Sequence, residues 1–220
     1  MATSLVTGAN RGIGLSLCQA LQARGDHVIA ACRKDPGALK ELGVQVESGV
    51  DVSSERSMAE LASSLRGQRL DYLIANAGIL REDEIEELDF KELREQFEIN
   101  ALGALRTVKA LLPNLGEGSK IALITSRMGS IGDNSSGGDY GYRMSKAALN
   151  AAGVSLAHDL RPYGIAVAIL HPGFVRTDMT AGAGSLEPSE SAALLLQRMD
   201  ELTMQTSGGF WHANGERLPW

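Results

Sequence analysis

The residues with the clearest chemical potential are Tyr142 and Lys146, in the run Tyr142-Arg143-Met144-Ser145-Lys146-Ala147-Ala148-Leu149-Asn150. The run is rich in Ala, Leu, Met and Lys and predicts a helix. Residues four apart on a helix share a face, so the phenol and the ammonium point into the same space. A free phenol titrates near ~10 and is a poor acid or base at neutral pH. At ~4 Å and an effective dielectric of ~20, attraction to a lysine is about 4 kcal/mol, roughly three pKa units before the lysine's own desolvation is subtracted. The spacing therefore predicts a phenol lowered into the range where it passes a proton efficiently. Tyr and Lys four apart also occur on ordinary helices, so this chemistry needs a hydride source and a carbonyl-polarising group elsewhere in the chain. Tyr140 falls on a different face from Lys146.

The elements that must position this pair alternate along the chain. Strands are predicted at 4–7, 27–32, 44–47, 72–75, 120–125, 165–170 and 209–213, and helices at 13–24, 36–42, 54–65, 90–112, 141–160 and 188–204. Ile165-Ala166-Val167-Ala168-Ile169-Leu170 is apolar on both faces, which marks a parallel sheet covered by helices on both sides. The fold class expected is α/β: one doubly wound, Rossmann-type parallel sheet of about seven strands. With 220 residues and no Pro- or Ser-rich linker, 1–220 reads as a single domain. Apolar content of 44% and charged content of 22% are those of a globular chain, and a net charge of −6 argues against a nucleic-acid partner. No apolar run approaches the ~20 residues that span a bilayer, and the start of the chain reads as a strand and not as a leader. Cys18 and Cys32 have neither CxxC spacing nor histidines nearby, so no metal site or disulfide is expected and the compartment reads as reducing and cytoplasmic.

The first turn, Thr7-Gly8-Ala9-Asn10-Arg11-Gly12-Ile13-Gly14, joins a strand to a helix. Glycines there let backbone approach a pyrophosphate, and the helix N-terminus offers unpaired N–H groups. The spacing is G-x-x-x-G-x-G and not G-x-G-x-x-G, and the turn also reads as a tight connection. Gly8, Asn10, Arg11, Gly12, Ile13 and Gly14 are the candidates to hold a dinucleotide. An NAD site usually carries an acid about 20 residues beyond the glycines. Here the region is Ala31-Cys32-Arg33-Lys34, and Arg33, joined by Arg11, suits the 2′-phosphate of NADP. Asp35 keeps NAD open as the less favoured cofactor, and Arg33 and Lys34 also read as solvated loop charges. Asp51 and Val52 follow the third strand at the edge expected to meet an adenine, with Asp51 alternatively an N-cap for the next helix. Asn76-Ala77-Gly78 closes the fourth strand, either as a plain turn or as a backbone approach to a ribose.

With Asn100, Ser126 and Pro172-Gly173-x-x-x-Thr177 added, these segments resemble the short-chain dehydrogenase/reductase family over essentially the whole chain. The branch containing C-factor and the sniffer-type carbonyl reductases is the most similar, on the Ser126 segment with its glycine-rich insert, the Tyr142–Asn150 run, His171-Pro172-Gly173 and the tail ending Leu218-Pro219-Trp220. The resemblance implies an NADP-dependent oxidoreductase that reduces an aldehyde or ketone. In it Tyr142 is the acid/base, Lys146 binds the nicotinamide ribose and lowers the phenol's pKa, Ser126 bonds the carbonyl, and Asn100 holds a water that relays protons to Lys146. Pro172, Gly173, Val175 and Thr177 would line the nicotinamide, and Gly8, Gly12, Gly14, Arg11, Arg33, Asp51 and Asn76 would complete the cofactor site. The alternative reading is a dinucleotide-binding signalling protein with little turnover.

The residues read alone agree with several of these roles. Ser126 ends an apolar strand at the sheet's carboxyl edge, and a strand's period of two turns Thr125 the other way. Asn100 is a polar residue amid apolar neighbours on a long helix and needs a partner or a purpose. The segment between Ser126 and Tyr142 is longer than the family's common spacing, which leaves Ser130 as a rival serine. Ala75 stands where the family often has asparagine. The segment 178–187 is short and glycine-containing, and is expected to be an open, mobile cover over a small-molecule carbonyl or alcohol. Apolar residues on more than one face of the helices at 90–112 and 141–160 predict a homodimer or a tetramer. His27, His158, His171 and His212 read as structural or exposed, and the acidic run 81–87 as solvated loop.

Overall fold

The computed structural model describes residues 1–34 and 36–220; Asp35 lies outside the described residues. Seven parallel strands form one sheet in the order β3-β2-β1-β4-β5-β6-β7, with β1 Thr3–Thr7, β2 His27–Cys32, β3 Gln45–Ser48, β4 Tyr72–Ala75, β5 Lys120–Ile124, β6 Ala166–His171 and β7 Phe210–His212. The strand order reverses beside β1, and this switch point leaves a crevice outside the strands' carboxyl ends. The helices are α1 Gly12–Ala23, α2 Leu39–Leu42, α3 Glu55–Ser64, α4 Phe90–Phe97, α5 Ala104–Leu111, α6 Tyr140–Asp159 and α7 Pro188–Glu201.

Alternation along the strands divides the core. Leu73, Ile121, Leu123 and Val167 meet Met58, Leu61, Val108, Leu111 and Leu149 of α3, α5 and α6. Ile74, Ala122, Ile124, Ala168 and Leu170 meet Leu17, Leu21, Leu195 and Met199 of α1 and α7. Both sides are apolar because both carry helices.

Two predicted helices differ from those observed. The helix expected over 36–42 forms only at Leu39–Leu42, with Gly43 left-handed behind it. The helix expected over 90–112 is interrupted by a π turn, Glu98–Gly103, which contains Asn100. Glycines also set how closely α6 approaches its neighbours. A Cβ on Gly153 would lie 2.6 Å from the Ile169 side chain, so α6 rests directly on β6. A Cβ on Gly129 would lie 2.7 Å from the Lys146 carbonyl carbon, so the 3-10 turn Arg127–Gly129 lies against the α6 backbone.

Candidate active site

A cleft of about 670 Å³ runs along the carboxyl edge of the sheet, from Arg33 and Lys34 at one end to Tyr142 and Lys146 at the other. Gly8, Asn10, Arg11, Gly12, Ile13, Gly14, Asp51, Val52, Asn76, Ala77, Gly78, Pro172 and Thr177 all line it. Ile79, Ile99, Arg176 and Pro188, which were not foreseen, line it too, as do Asp178 and Met179 of the segment expected to cover it. Asn100, Ser126, Gly173 and Val175 are outside that lining. Gly173 has φ 93°, and a Cβ there would meet the Leu186 side chain at 2.6 Å. Val175 is buried and bridges to Leu186. Both hold the loop behind the cleft.

The glycine turn is steric necessity. Gly8 has φ 65° and rests against Ala77. A Cβ on Gly14 would stand 2.2 Å from the Gly8 carbonyl oxygen and 2.7 Å from the Asn76 amide nitrogen. That amide donates to the carbonyls of Thr7 at 3.0 Å and Gly8 at 3.3 Å, while the Thr7 hydroxyl accepts from the backbone N–H groups of Asn76 and Ala77. Asn76 therefore braces the turn with its side chain. Ala75 is packed in β4 opposite Leu123.

The rival readings of Asp51 separate cleanly. Ser54 is the N-cap of α3 and accepts from the Ser57 N–H. Asp51 instead accepts from the backbone and hydroxyl of Ser53 at 2.9 and 2.6 Å. Burial pushes its carboxyl up, but these hydrogen bonds and the nearby Arg33 outweigh that and leave the pKa lowered. Arg11, expected to join Arg33, pairs across the cleft with Asp178 at 3.1 Å.

At the opposite end, Tyr142 is buried, with the Ser126 side chain near enough to its phenol to favour the ionised form. The Ser126 oxygen accepts from the Met128 N–H at 3.1 Å, which leaves its hydroxyl hydrogen able to donate. Ser130 is spent elsewhere, accepting from the Asp133 N–H. Thr125, expected to turn away, also reaches α6, where its hydroxyl lies 2.7 Å from the Asn150 oxygen. The strand ends at Ile124, so its period of two no longer governs the next residues.

Lys146 lies on the same side of α6 as Tyr142, its Nζ 5.6 Å from the phenol ring centroid and 2.9 Å from the Ile124 carbonyl to which it donates. The expected lowering of the phenol's pKa is not what this geometry yields. Burial pushes Tyr142 up to about 12, against the opposing influence of the nearby Ser126 hydroxyl, with Asp139 adding to the rise. Burial also brings Lys146 down to about 8. The opposite-charge argument treated the lysine's desolvation as a correction. With both groups buried, loss of water disfavours each charge and dominates. At neutral pH the result is a protonated phenol beside a protonated amine.

Asn100 is buried and fully engaged. Its oxygen accepts from the Ile79 N–H at 2.8 Å, and its amide donates to the Ile79 carbonyl and the Ser145 hydroxyl, each at 2.9 Å. A Cβ on Gly78 would fall 3.1 Å from the Asn100 oxygen and 3.5 Å from Lys146 Nζ, so Gly78 separates the two side chains. One turn earlier, Gln96 holds the Arg81 backbone in the same way. Gln96 was missed, although a second polar side chain four residues before Asn100 on a buried face was the signal for it. The segment over the cleft is also tighter than expected. The Thr180 hydroxyl lies within hydrogen-bonding reach of the Val175, Thr177 and Ala183 carbonyls, and Ser185 and Leu186 donate to the Phe174 carbonyl.

Residues 2–187 match the sequence profile of the family described as short chain dehydrogenase. The chain belongs to this family. It is 47% identical, over all of both chains, to a 1-hydroxy-2-glutathionyl-2-methyl-3-butene dehydrogenase from Rhodococcus sp. (strain AD45). It is 41% identical to the C-signal protein of Myxococcus xanthus, covering 74% of this chain and 100% of that one. Among solved structures, the carbonyl reductase Sniffer of D. melanogaster superposes with a TM-score of 0.93 at 31% identity, covering 100% of both chains. An NADPH-bound carbonyl reductase from chicken fatty liver superposes at 0.92 and 32%, covering 100% of this chain and 99% of the other. This short chain dehydrogenase family member is thus an oxidoreductase with C-factor and sniffer-type relatives. Among the described residues no cluster fit to hold a metal occurs, and no helix is long and apolar enough to cross a membrane.

Proposed function

We propose that this enzyme is an NADP-dependent carbonyl reductase, passing hydride between NADPH and an aldehyde or ketone. The observation that carries the reading is the buried Tyr142 phenol, near Ser126 and beside Lys146, closing one end of a cleft whose other end presents Arg33 and Lys34. The cleft fits a dinucleotide, because the glycine turn has no room for side chains and its backbone faces the opening at the start of α1. NADPH, when bound, supplies the hydride that reduces the carbonyl carbon.

The chain's own residues handle the proton. The Ser126 hydroxyl donates to the carbonyl oxygen and orients it, and Tyr142 transfers its phenolic proton to that oxygen as the alkoxide charge develops. A phenol held near 12 is a donor throughout the neutral range, which suits reduction. Lys146, an ammonium below about pH 8, compensates the phenolate charge and would hold the ribose hydroxyls of the bound dinucleotide. Asn100 keeps its π turn and the Ile79 backbone in place beside Lys146, and a water there completes the relay. Arg33 and Arg11, both lining the cleft, would hold the 2′-phosphate, for which Arg11 would leave its partner Asp178. The segment 178–187 borders the substrate.

Exposed Phe90 and Phe97 of α4, Leu105 of α5 and Leu112 just after it form a stripe, and we assign this stripe to a homodimer contact. The likeness to C-signal supports a signalling output as a second reading, but the complete Asn100–Ser126–Tyr142–Lys146 set favours turnover. A cytoplasmic setting accords with the buried thiols Cys18 and Cys32. The test follows NADPH and NADH absorbance against aldehydes, ketones, quinones and diketones. Turnover that prefers NADPH supports the reading, and binding of NADPH with no turnover across the panel would favour the signalling alternative.

A further inference from the structure

The helix that carries Tyr142 has no cap of its own. Asp139, in the N-cap position of α6, has φ 49° and its side chain caps nothing. The first N–H groups are taken instead by a residue far back in the chain: Asp83 accepts from Tyr140 at 2.6 Å with one carboxylate oxygen and from Gly141 at 3.0 Å with the other. The Asp83 carbonyl accepts from the Asp139 N–H at 2.9 Å.

The segment that leads into Asp83 is itself fastened to the helix opposite, at Ile79 and Arg81. Two amide side chains one turn apart, Gln96 and Asn100, each bond both the N–H and the carbonyl of a single residue in the passing strand of chain, Arg81 and Ile79 respectively. Gln96 and Asn100 are buried. Asn100 also holds the Ser145 hydroxyl, which donates to the Tyr142 carbonyl at 2.7 Å. The clearance is fixed from both sides, since a Cβ on Gly141 would meet Gln96 Nε2 at 2.4 Å and an Asp83 oxygen at 3.2 Å. Segment 79–83 is therefore a strut between the π-turn helix and the first turn of α6.

We propose that Asp83 is a positioning residue for Tyr142. Its carboxylate fixes the axial height of the first turn of α6, and with it the distance from the phenol to Ser126 and to a carbonyl held there. Displacing a reacting group by ~1 Å costs about 100-fold in rate. The inference rests on Tyr142 being the proton donor, so the test includes Tyr142→Phe.

Asp83→Ala, Asp83→Asn and Tyr142→Phe are made in the full chain. NADPH affinity and the number of binding sites come from fluorescence titration, and turnover from NADPH oxidation with an aldehyde panel led by para-nitrobenzaldehyde. For Asp83→Ala, kcat per NADPH site is expected to fall roughly 10–100-fold, with the carbonyl KM and the NADPH Kd within about two-fold of wild type. Asp83→Asn keeps one acceptor and is expected to fall between. Unchanged kcat per site in Asp83→Ala, with only the melting temperature lowered, would overturn the proposal, and if that variant does not fold, unchanged kcat per site in Asp83→Asn does the same. If Tyr142→Phe is inactive while the Asp83 variants are normal, only the role of Asp83 fails. If Tyr142→Phe or the wild-type protein shows that no proton donor is at work, the functional reading fails and this inference with it.

Discussion

The two ends of the cleft are built by different means. At the Arg33 end the surface is backbone, glycine and solvent-facing charge, and its shape follows from where a Cβ cannot go: 2.2 Å from a carbonyl oxygen at Gly14, 2.9 Å from the Ala77 backbone at Gly8. At the Tyr142 end the lining Tyr142 and Lys146 are backed by buried polar side chains, and the key bonds come from residues distant in sequence: Asn100 with Ile79 and Ser145, Lys146 with the Ile124 carbonyl. The first end can tolerate change in its charges but not in its sterics. The second can tolerate change in neither, because a buried polar group left unpaired costs about 1–3 kcal/mol and moves its neighbours.

The largest expected effect that would break this contrast lies at the buried end. Ser126→Ala should lower kcat roughly 100-fold with little change in NADPH affinity, whereas Ser130→Ala, which removes an acceptor for a loop N–H, should leave kcat near wild type. Steady-state kinetics of the pair decides it, and loss in Ser130→Ala alone would reverse the assignment. Next is steric change at the open end. Gly14→Ala places a Cβ against the Gly8 carbonyl and should cost roughly 1–3 kcal/mol in thermal or denaturant unfolding and weaken NADPH binding in titration. Wild-type stability and affinity would show that the turn is not sterically set.

Charge change at the same end should be milder and selective. Arg33→Asp should shift the ratio of kcat/KM for NADPH over NADH by roughly ten-fold towards NADH without lowering kcat, as expected of an exposed phosphate contact. The smallest effect concerns pH. Burial lowers Lys146 to about 8, so its ammonium is present below that pH and lost as pH rises through it. The kcat/KM for NADPH, which reports the uncomplexed enzyme, should be flat at neutral pH and fall by one proton above about pH 8. Tyr142, pushed up to about 12, should not contribute to that limb.

What could be read in the sequence follows the same division. The glycine turn, the strands and the Tyr142–Lys146 pair are local patterns, set by helix and strand periods and by backbone sterics, and the sheet and cleft formed around them as expected. The strut was invisible. Asp83 sits in an acidic run that reads as solvated, and nothing near it in sequence shows that it caps a helix begun 57 residues later. The interruption at Asn100 was hidden too, because a π turn adds a residue without altering the composition of the helix. The phenol's pKa was misjudged for a related reason: spacing gives the distance to a partner charge but not how much water both groups lose.

The account stands on Tyr142 as the proton donor at the buried end. The most direct measurement is a single turnover of NADPH-loaded protein mixed with excess carbonyl, comparing wild type with Tyr142→Phe by absorbance. With NADPH affinity matched, the variant should oxidise its bound cofactor at least about 100-fold more slowly. An equal rate in the two proteins would contradict the account.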